Sequence, residues 1–270
     1  MNKFSLKDKN IVVTGAAGIL GRRFCLGLAE AGASLALIDL DQPLLNDLVR
    51  DLTQTYKDQK FLGYVCNVAV EAEVANAITS IANDFGQISV LINNAASKSS
   101  NLNDFFESFE NYKLATWREV MSVNIDGMFL MAKYVGAHMI ANKIKGSVIQ
   151  TASVYGVVAP DQRIYEGSFY LGRQINTPAV YSVSKSAVIG LSNYLAAYWA
   201  PNDIRVNTLT PGGMESGQNE TFKNKYSMRV PMGRMGQPDE LVGALIYFAS
   251  EASSYVTGQN LIVDGGLSSW

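Results

Sequence analysis

Residues 10–21 read N-I-V-V-T-G-A-A-G-I-L-G, an apolar run that stops at a glycine-rich turn and resumes as a helical pattern. A short continuous V/I run bounded by turn residues is what a strand covered on both faces looks like. Glycines at 15, 18 and 21 permit a tight turn and let backbone N–H groups approach a pyrophosphate at the N-terminus of the next helix. A glycine triplet alone is a weak signal. It gains weight because the next strand pattern, S-L-A-L-I-D, closes on Asp39, 18 residues beyond Gly21. A carboxylate there accepts hydrogen bonds from adenosine ribose hydroxyls and repels a 2′-phosphate, so the pattern predicts NAD in preference to NADP. Arg22 and Arg23 follow the third glycine and are expected to project elsewhere.

Working outward, short apolar runs alternate with longer helical patterns along nearly the whole chain. Strands are predicted at Asn10–Thr14, Ser34–Asp39, Phe61–Cys66, Ser89–Asn93, Ser147–Ala152, Ile204–Leu209 and Asn260–Val263. Helices are predicted near Ile19–Ala31, Leu44–Tyr56, Glu71–Phe85, Thr116–Asn142, Tyr181–Ala200 and Pro238–Ser250. That repetition means an α/β fold, a doubly wound (Rossmann-type) parallel sheet of about seven strands in one domain, 1–270. The two least regular stretches, 155–180 and 212–230, each follow a strand. Ligands in open α/β sheets bind beyond the carboxyl ends of the strands, so both are expected to shape a substrate pocket.

With 270 residues, 48% of them hydrophobic, the chain can bury a sizeable core, and its formal charge of −2 offers no basic face for nucleic acid or anionic lipid. Cys25 and Cys66 make no disulfide framework, and the single histidine, His138, has no neighbouring ligand pattern, so no metal is expected. The first ten residues lack the apolar core of a signal peptide, and no apolar run reaches membrane-spanning length. These features predict a cytoplasmic, soluble protein.

Tyr181 and Lys185 stand one helical turn apart in Y-S-V-S-K, close enough to interact. A free phenol, with a pKa of about 10, is a poor proton carrier at neutral pH, and an ammonium beside it is expected to favour the phenolate. Such a centre takes a proton from an alcohol or returns one to a carbonyl. The spacing alone proves little, since Tyr56 and Lys60 repeat it in a charged stretch with nothing catalytic around them.

With these residues placed, the chain resembles a short-chain dehydrogenase/reductase of the classical type over almost its whole length. T-G-A-A-G-I-L-G matches that family's glycine-rich turn, with Thr14, Gly15, Gly18, Ile19, Leu20 and Gly21 at the cofactor. Asp39 and Leu40 fall at the adenosine ribose, and Asn67 and Val68 match the pair beside the adenine. N-N-A-A at 93–96 matches the segment after the fourth strand, placing Asn94, Ala95 and Ala96 against the cofactor. Asn124, Ser153, Tyr181 and Lys185 match the catalytic tetrad, and Pro211, Gly212 and Ser216 match the stretch that holds the nicotinamide amide. The resemblance implies hydride transfer to or from nicotinamide. Tyr181 would exchange the proton, Lys185 would tune it and hold the nicotinamide ribose, Ser153 would orient the substrate oxygen, and Asn124 would position a water. It also implies a homotetramer, or a homodimer, built on the two long helices.

Several departures matter. The glycines are spaced G-x-x-G-x-x-G, a spacing commoner among sugar-nucleotide epimerases and dehydratases of the same family. Ala96 replaces a glycine and Ser216 a threonine. The gap from Ser153 to Tyr181 is 28 positions, longer than usual. That insertion carries Arg163, Tyr165, Glu166, Tyr170 and Arg173, of which Arg163 and Tyr165 are candidate substrate contacts beside Ser153 and Tyr181. It resembles a segment in bacterial enzymes linked to flagellin or surface-polysaccharide sugars, which implies a sugar or sugar-derived polyol as substrate. The alternatives are an epimerase or dehydratase that retains its NAD, and a 3-oxoacyl thioester reductase.

Overall fold

The computed structural model describes residues 2–170 and 172–270. Met1 and Leu171, which belong to the predicted domain and substrate loop respectively, lie outside the described residues. In chain order the elements are β1 (Asn10–Thr14), α1 (Ile19–Glu30), β2 (Ser34–Asp39), α2 (Gln42–Thr55), β3 (Phe61–Val65), α3 (Glu71–Phe85) and β4 (Val90–Asn93). There follow α4 (Leu102–Phe105), α5 (Leu114–Met121), α6 (Met128–Ala141), β5 (Ser147–Thr151), β6 (Phe169–Tyr170), β7 (Arg173–Gln174) and α7 (Ala179–Trp199). The chain closes with β8 (Arg205–Pro211), α8 (Glu220–Ser227), α9 (Val242–Ala249) and β9 (Asn260–Val263).

Seven strands pair in parallel in the order β3-β2-β1-β4-β5-β8-β9. Successive strand residues point to opposite faces, and the burial follows. Val13, Ile92 and Ile149 pack against α1, α2 and α9, while Val12, Leu91 and Val148 pack against α3, α6 and α7. The strand order switches direction between β1 and β4, which opens the crevice where such sheets bind ligands.

The structure amends the sequence reading in two places. The helix predicted over Thr116–Asn142 is interrupted, because a π-helical turn at Ser122–Gly127 separates α5 from α6. Widened turns of this kind concentrate at functional sites, and Asn124 lies within it. The two irregular stretches also carry structure of their own. The β6–β7 hairpin lies in the first and α8 in the second, both too short to leave a periodic signal.

These stretches are held together by a third apolar cluster, separate from the two cores of the sheet. Ile164 and Tyr165 of the insertion pack with Phe222, Tyr226 and Val230, and with Leu267 near the C-terminus. The Tyr165 and Phe222 rings stack with centroids 5.3 Å apart, and Lys225 Nζ donates to the Glu166 carbonyl at 2.9 Å.

Candidate active site

The glycine-rich turn needs its glycines for two separate reasons. Gly15 adopts φ of 62°, where a side chain is strained. A Cβ on Gly21 would fall 1.9 Å from the Gly15 carbonyl oxygen, so α1 could not approach the turn so closely with any other residue. α1 is preceded by Gly18 at its N-cap, with no side-chain cap, which leaves its first N–H groups for a ligand. Asp39 closes β2, where its Oδ2 accepts the Ala17 N–H at 2.8 Å and its Oδ1 accepts the Leu40 N–H at 2.7 Å.

These residues line a groove of about 560 Å³ that includes Gly15, Gly18, Ile19, Leu20, Gly21, Asp39, Leu40, Asn67, Val68, Asn94, Ala95 and Ala96. Thr14 is the exception among the expected cofactor contacts. It is fully buried, and its Oγ1 accepts the N–H groups of Asn94 at 2.9 Å and Ala95 at 3.0 Å. It anchors the segment after β4 beneath the groove instead of lining it, because that segment's N–H groups have left the sheet ladder and need an acceptor. Arg22 pairs with Asp51 and Arg23 with Asp239, both outside the groove.

A second cavity, of about 440 Å³, contains Ser153, Tyr181, Lys185, Pro211, Gly212 and Ser216. It shares Ile19, Leu20, Asn94, Ala96 and Lys98 with the groove, so the two are continuous. β5 delivers Ser153 and the first turns of α7 deliver Tyr181 and Lys185. The Lys185 ammonium lies 5.9 Å from the Tyr181 ring centroid and donates to the Thr151 carbonyl at 3.0 Å.

Burial acts on both members of the Tyr181–Lys185 pair. Burial pushes the Tyr181 phenol above its ordinary range, and the Ser153 hydroxyl beside it opposes that shift. Burial also pulls Lys185 down to about 8. Both groups are removed from water, and loss of hydration disfavours the charged form of each.

The Asn124 side chain is fully buried and committed to the protein. Its Oδ1 accepts the Ser97 N–H at 2.8 Å and its Nδ2 donates to Ser184 Oγ at 3.1 Å. It thereby ties the segment after β4 to α7.

Of the two insertion residues expected at the substrate, Tyr165 lines the second cavity and Arg163 does not. Tyr165 is buried, and its hydroxyl is hydrogen-bonded to Thr177 Oγ1. The Arg163 guanidinium is held from two sides by the Asp161 carboxylate two residues earlier and stays largely exposed, so the local ion pair sets its direction. Glu166 pairs with Lys225 and Arg173 with Glu107. Tyr170 lies on the exposed hairpin. Lys60 of the decoy pair donates to the Asp84 carbonyl at 2.7 Å, well away from both cavities. Lys98, Phe105, Phe106, Tyr155, Met214, Asn176 and Gln218 also line the second cavity; four of them fall in the two stretches expected to shape a pocket, and the sequence singles out none individually. Phe105 closes α4, and the others come from turns and loops whose course no periodicity encodes.

A parallel sheet with this order, a glycine-rich turn at its switch point and a Ser–Tyr–Lys cleft opening from it together define a nicotinamide-dependent oxidoreductase. A family model described as enoyl-(acyl carrier protein) reductase matches residues 15–268. The D-arabinitol 2-dehydrogenase (ribulose-forming) of Candida tropicalis is 32% identical over 289 residues, covering 99% of this chain and 95% of the relative. The galactitol 2-dehydrogenase (L-tagatose-forming) of Cereibacter sphaeroides is 33% identical over 277 residues, covering 99% and 98%. The crystal structure of a gluconate 5-dehydrogenase from Burkholderia cenocepacia J2315, in complex with NADP and tartrate, superposes with a TM-score of 0.86 at 32% identity, over 100% of this chain and 98% of that one. The chain belongs to the short-chain dehydrogenase/reductase family, and it is an NAD(P)-dependent oxidoreductase acting on CH–OH groups.

Proposed function

We propose that this enzyme interconverts a secondary alcohol and a ketone in a sugar-derived polyol, with NAD as the preferred cofactor. The observation that carries the reading is the continuity of the groove with the Ser153–Tyr181–Lys185 cleft, so that a nicotinamide held in the groove would lie beside a reacting carbon in the cleft. The groove suits a dinucleotide: Gly21 lets α1 pack close against the Gly15 turn, and the uncapped start of α1 leaves N–H groups that would hold a pyrophosphate. Nicotinamide, once bound, takes up or returns a hydride.

The rest of the chemistry belongs to this chain. Tyr181 takes the hydroxyl proton as the alcohol is oxidised and returns it to the carbonyl in the reverse direction. Ser153 donates to the same oxygen and orients it. Lys185 supplies the charge that steadies the phenolate and holds the nicotinamide ribose. Asn124 fixes α7 against the segment after β4 and so keeps Lys185 in register. Pro211, Gly212 and Ser216 hold the nicotinamide amide. Asp39 supports NAD, since its carboxylate opposes a 2′-phosphate while accepting ribose hydroxyls.

The polyol substrate is supported by the arabinitol and galactitol relatives. A 3-oxoacyl thioester is the second reading, favoured by the 3-oxoacyl-(acyl-carrier-protein) reductase of Thermotoga maritima, 31% identical over 267 residues. Assembly as a homotetramer or homodimer in the cytoplasm belongs to the same proposal. Phe129, Tyr194 and Tyr198 stand exposed on α6 and α7, in keeping with a subunit interface.

The test is NADH formation by purified enzyme with polyols, sugars and 3-hydroxyacyl thioesters, with NAD or NADP, beside Tyr181→Phe. Tyrosine-dependent oxidation of a polyol with NAD is the expected result. Preference for a thioester transfers the conclusion to the second reading.

A further inference from the structure

We propose that the substrate carries a carboxylate held by the Lys98 ammonium, so that the polyol of the reading above is a polyhydroxy acid. The inference rests on that reading and narrows it. Lys98 is exposed on the segment after β4 and is among the residues shared by the groove and the catalytic cleft. Its backbone is fixed on both sides. Asn124 Oδ1 accepts the Ser97 N–H at 2.8 Å, Glu119 Oε1 accepts the Ser100 N–H at 2.7 Å, and Ser99 takes a φ of 89° to make the turn between them. The side chain is thereby anchored at the junction of the two cavities, where the reaction is proposed to occur.

The charge of the cleft is one-sided. Its charged lining residues are Lys98 and Lys185, and no aspartate or glutamate lines it. The Lys185 ammonium is buried and donates to the Thr151 carbonyl. Lys98 makes no ion pair among the described residues, whereas the other cations of the loops around the cleft all do. Lys113 pairs with Asp104, Arg173 with Glu107, Lys223 with Glu220, Lys225 with Glu166, and Arg163 and Arg229 with Asp161. The carboxylates of Asp104 and Glu107, which follow Lys98 on the same segment, are thus taken up elsewhere. A cleft lined by one sign of charge draws in a ligand of the opposite sign. In the reading above the pyrophosphate falls to the first N–H groups of α1 and the nicotinamide ribose to Lys185, which leaves the Lys98 ammonium for the substrate. One ammonium balances a single negative charge. With the neighbouring cations already paired, a carboxylate suits it better than a phosphate dianion.

The test compares wild type, Lys98→Met and Lys98→Arg on pentitols and hexitols, on the matching aldonates and on the matching terminal monophosphates. Wild type should prefer an aldonate to its neutral polyol. Lys98→Met should lower kcat/KM on the aldonate by about tenfold, with the neutral polyol and the NADH dissociation constant within twofold of wild type, and Lys98→Arg should restore most of the loss. Added salt should slow wild type on the aldonate and leave Lys98→Met unaffected, because screening acts only where the charge pair exists. Equal changes on aldonate and neutral polyol, or a weakened NADH complex in Lys98→Met, would overturn the inference while leaving the polyol reading intact. Turnover of a monophosphate in preference to the aldonate would overturn the carboxylate. A wild-type enzyme that oxidises neither polyols nor aldonates would overturn the polyol reading itself.

Discussion

The Asp39 carboxylate reaches back from the end of β2 to accept the Ala17 N–H at 2.8 Å, so the residue proposed to oppose a 2′-phosphate also braces the glycine-rich turn. Replacing it therefore acts on cofactor choice and on the turn together. Asp39→Ser should move the ratio of kcat/KM for NAD over NADP toward NADP by about tenfold or more, of the order of one lost charge–charge interaction near a surface. It should also lower the melting temperature slightly. An unchanged ratio in steady-state assays with both cofactors would refute the assignment.

Lys185 gives the chain a distinctive alkaline signature. Its folded pKa, about 8, lies below the ordinary lysine value of 10.5, so between these pH values the unfolded chain binds more protons than the folded one. Stability contributed by this group therefore rises with pH across that window. Below it, the buried ammonium is a liability on the order of 3 kcal/mol. Lys185→Met should be relatively most stabilised near pH 7 and lose that advantage toward pH 10. Parallel pH dependences in urea titrations of the two proteins would contradict this.

Two glycines in helices make opposite predictions. Gly21→Ala forces a methyl against the Gly15 carbonyl and should abolish dinucleotide binding, measured by NADH fluorescence, along with a marked fall in stability. Gly190 in α7 has open space for 4 Å around the point where a methyl would stand. Gly190→Ala should raise stability by about 0.5–1 kcal/mol through helix propensity alone. A destabilised Gly190→Ala would show that α7 is more crowded there than its own chain indicates.

Phe222 connects the insertion to α8 through its stacking on Tyr165. Phe222→Ala should loosen the substrate wall without reaching the groove. The expected result is a KM for substrate raised about tenfold, with the NADH dissociation constant within twofold of wild type. Equal weakening of both by titration and kinetics would mean that the two sites are not mechanically separate.

Several strands of the sheet are legible in the sequence because both faces are covered, which writes them as continuous V/I/L runs such as Ile11–Val13 or Val90–Ile92. Most of the groove is legible for a similar reason. Gly15, Gly21 and Asp39 follow directly from the ends of predicted elements. The loops are harder to read. The sequence points Arg163 toward the cleft, but Asp161, two residues away, binds it first, and such local pairing depends on backbone turns that carry no periodicity. It points Thr14 toward the cofactor, yet that hydroxyl serves the N–H groups of Asn94 and Ala95, from a segment far along the chain.

The apolar cluster joining the insertion, α8 and Leu267 stands apart from the two cores that hold the sheet. Inheritance can therefore treat the substrate wall as a detachable part. Changes at Ile164, Tyr165 or Phe222 can be tried, kept or discarded while the nucleotide-binding sheet beneath goes on folding as before. A lineage carrying this chain has a route to new alcohols that need not pass through unfolded intermediates.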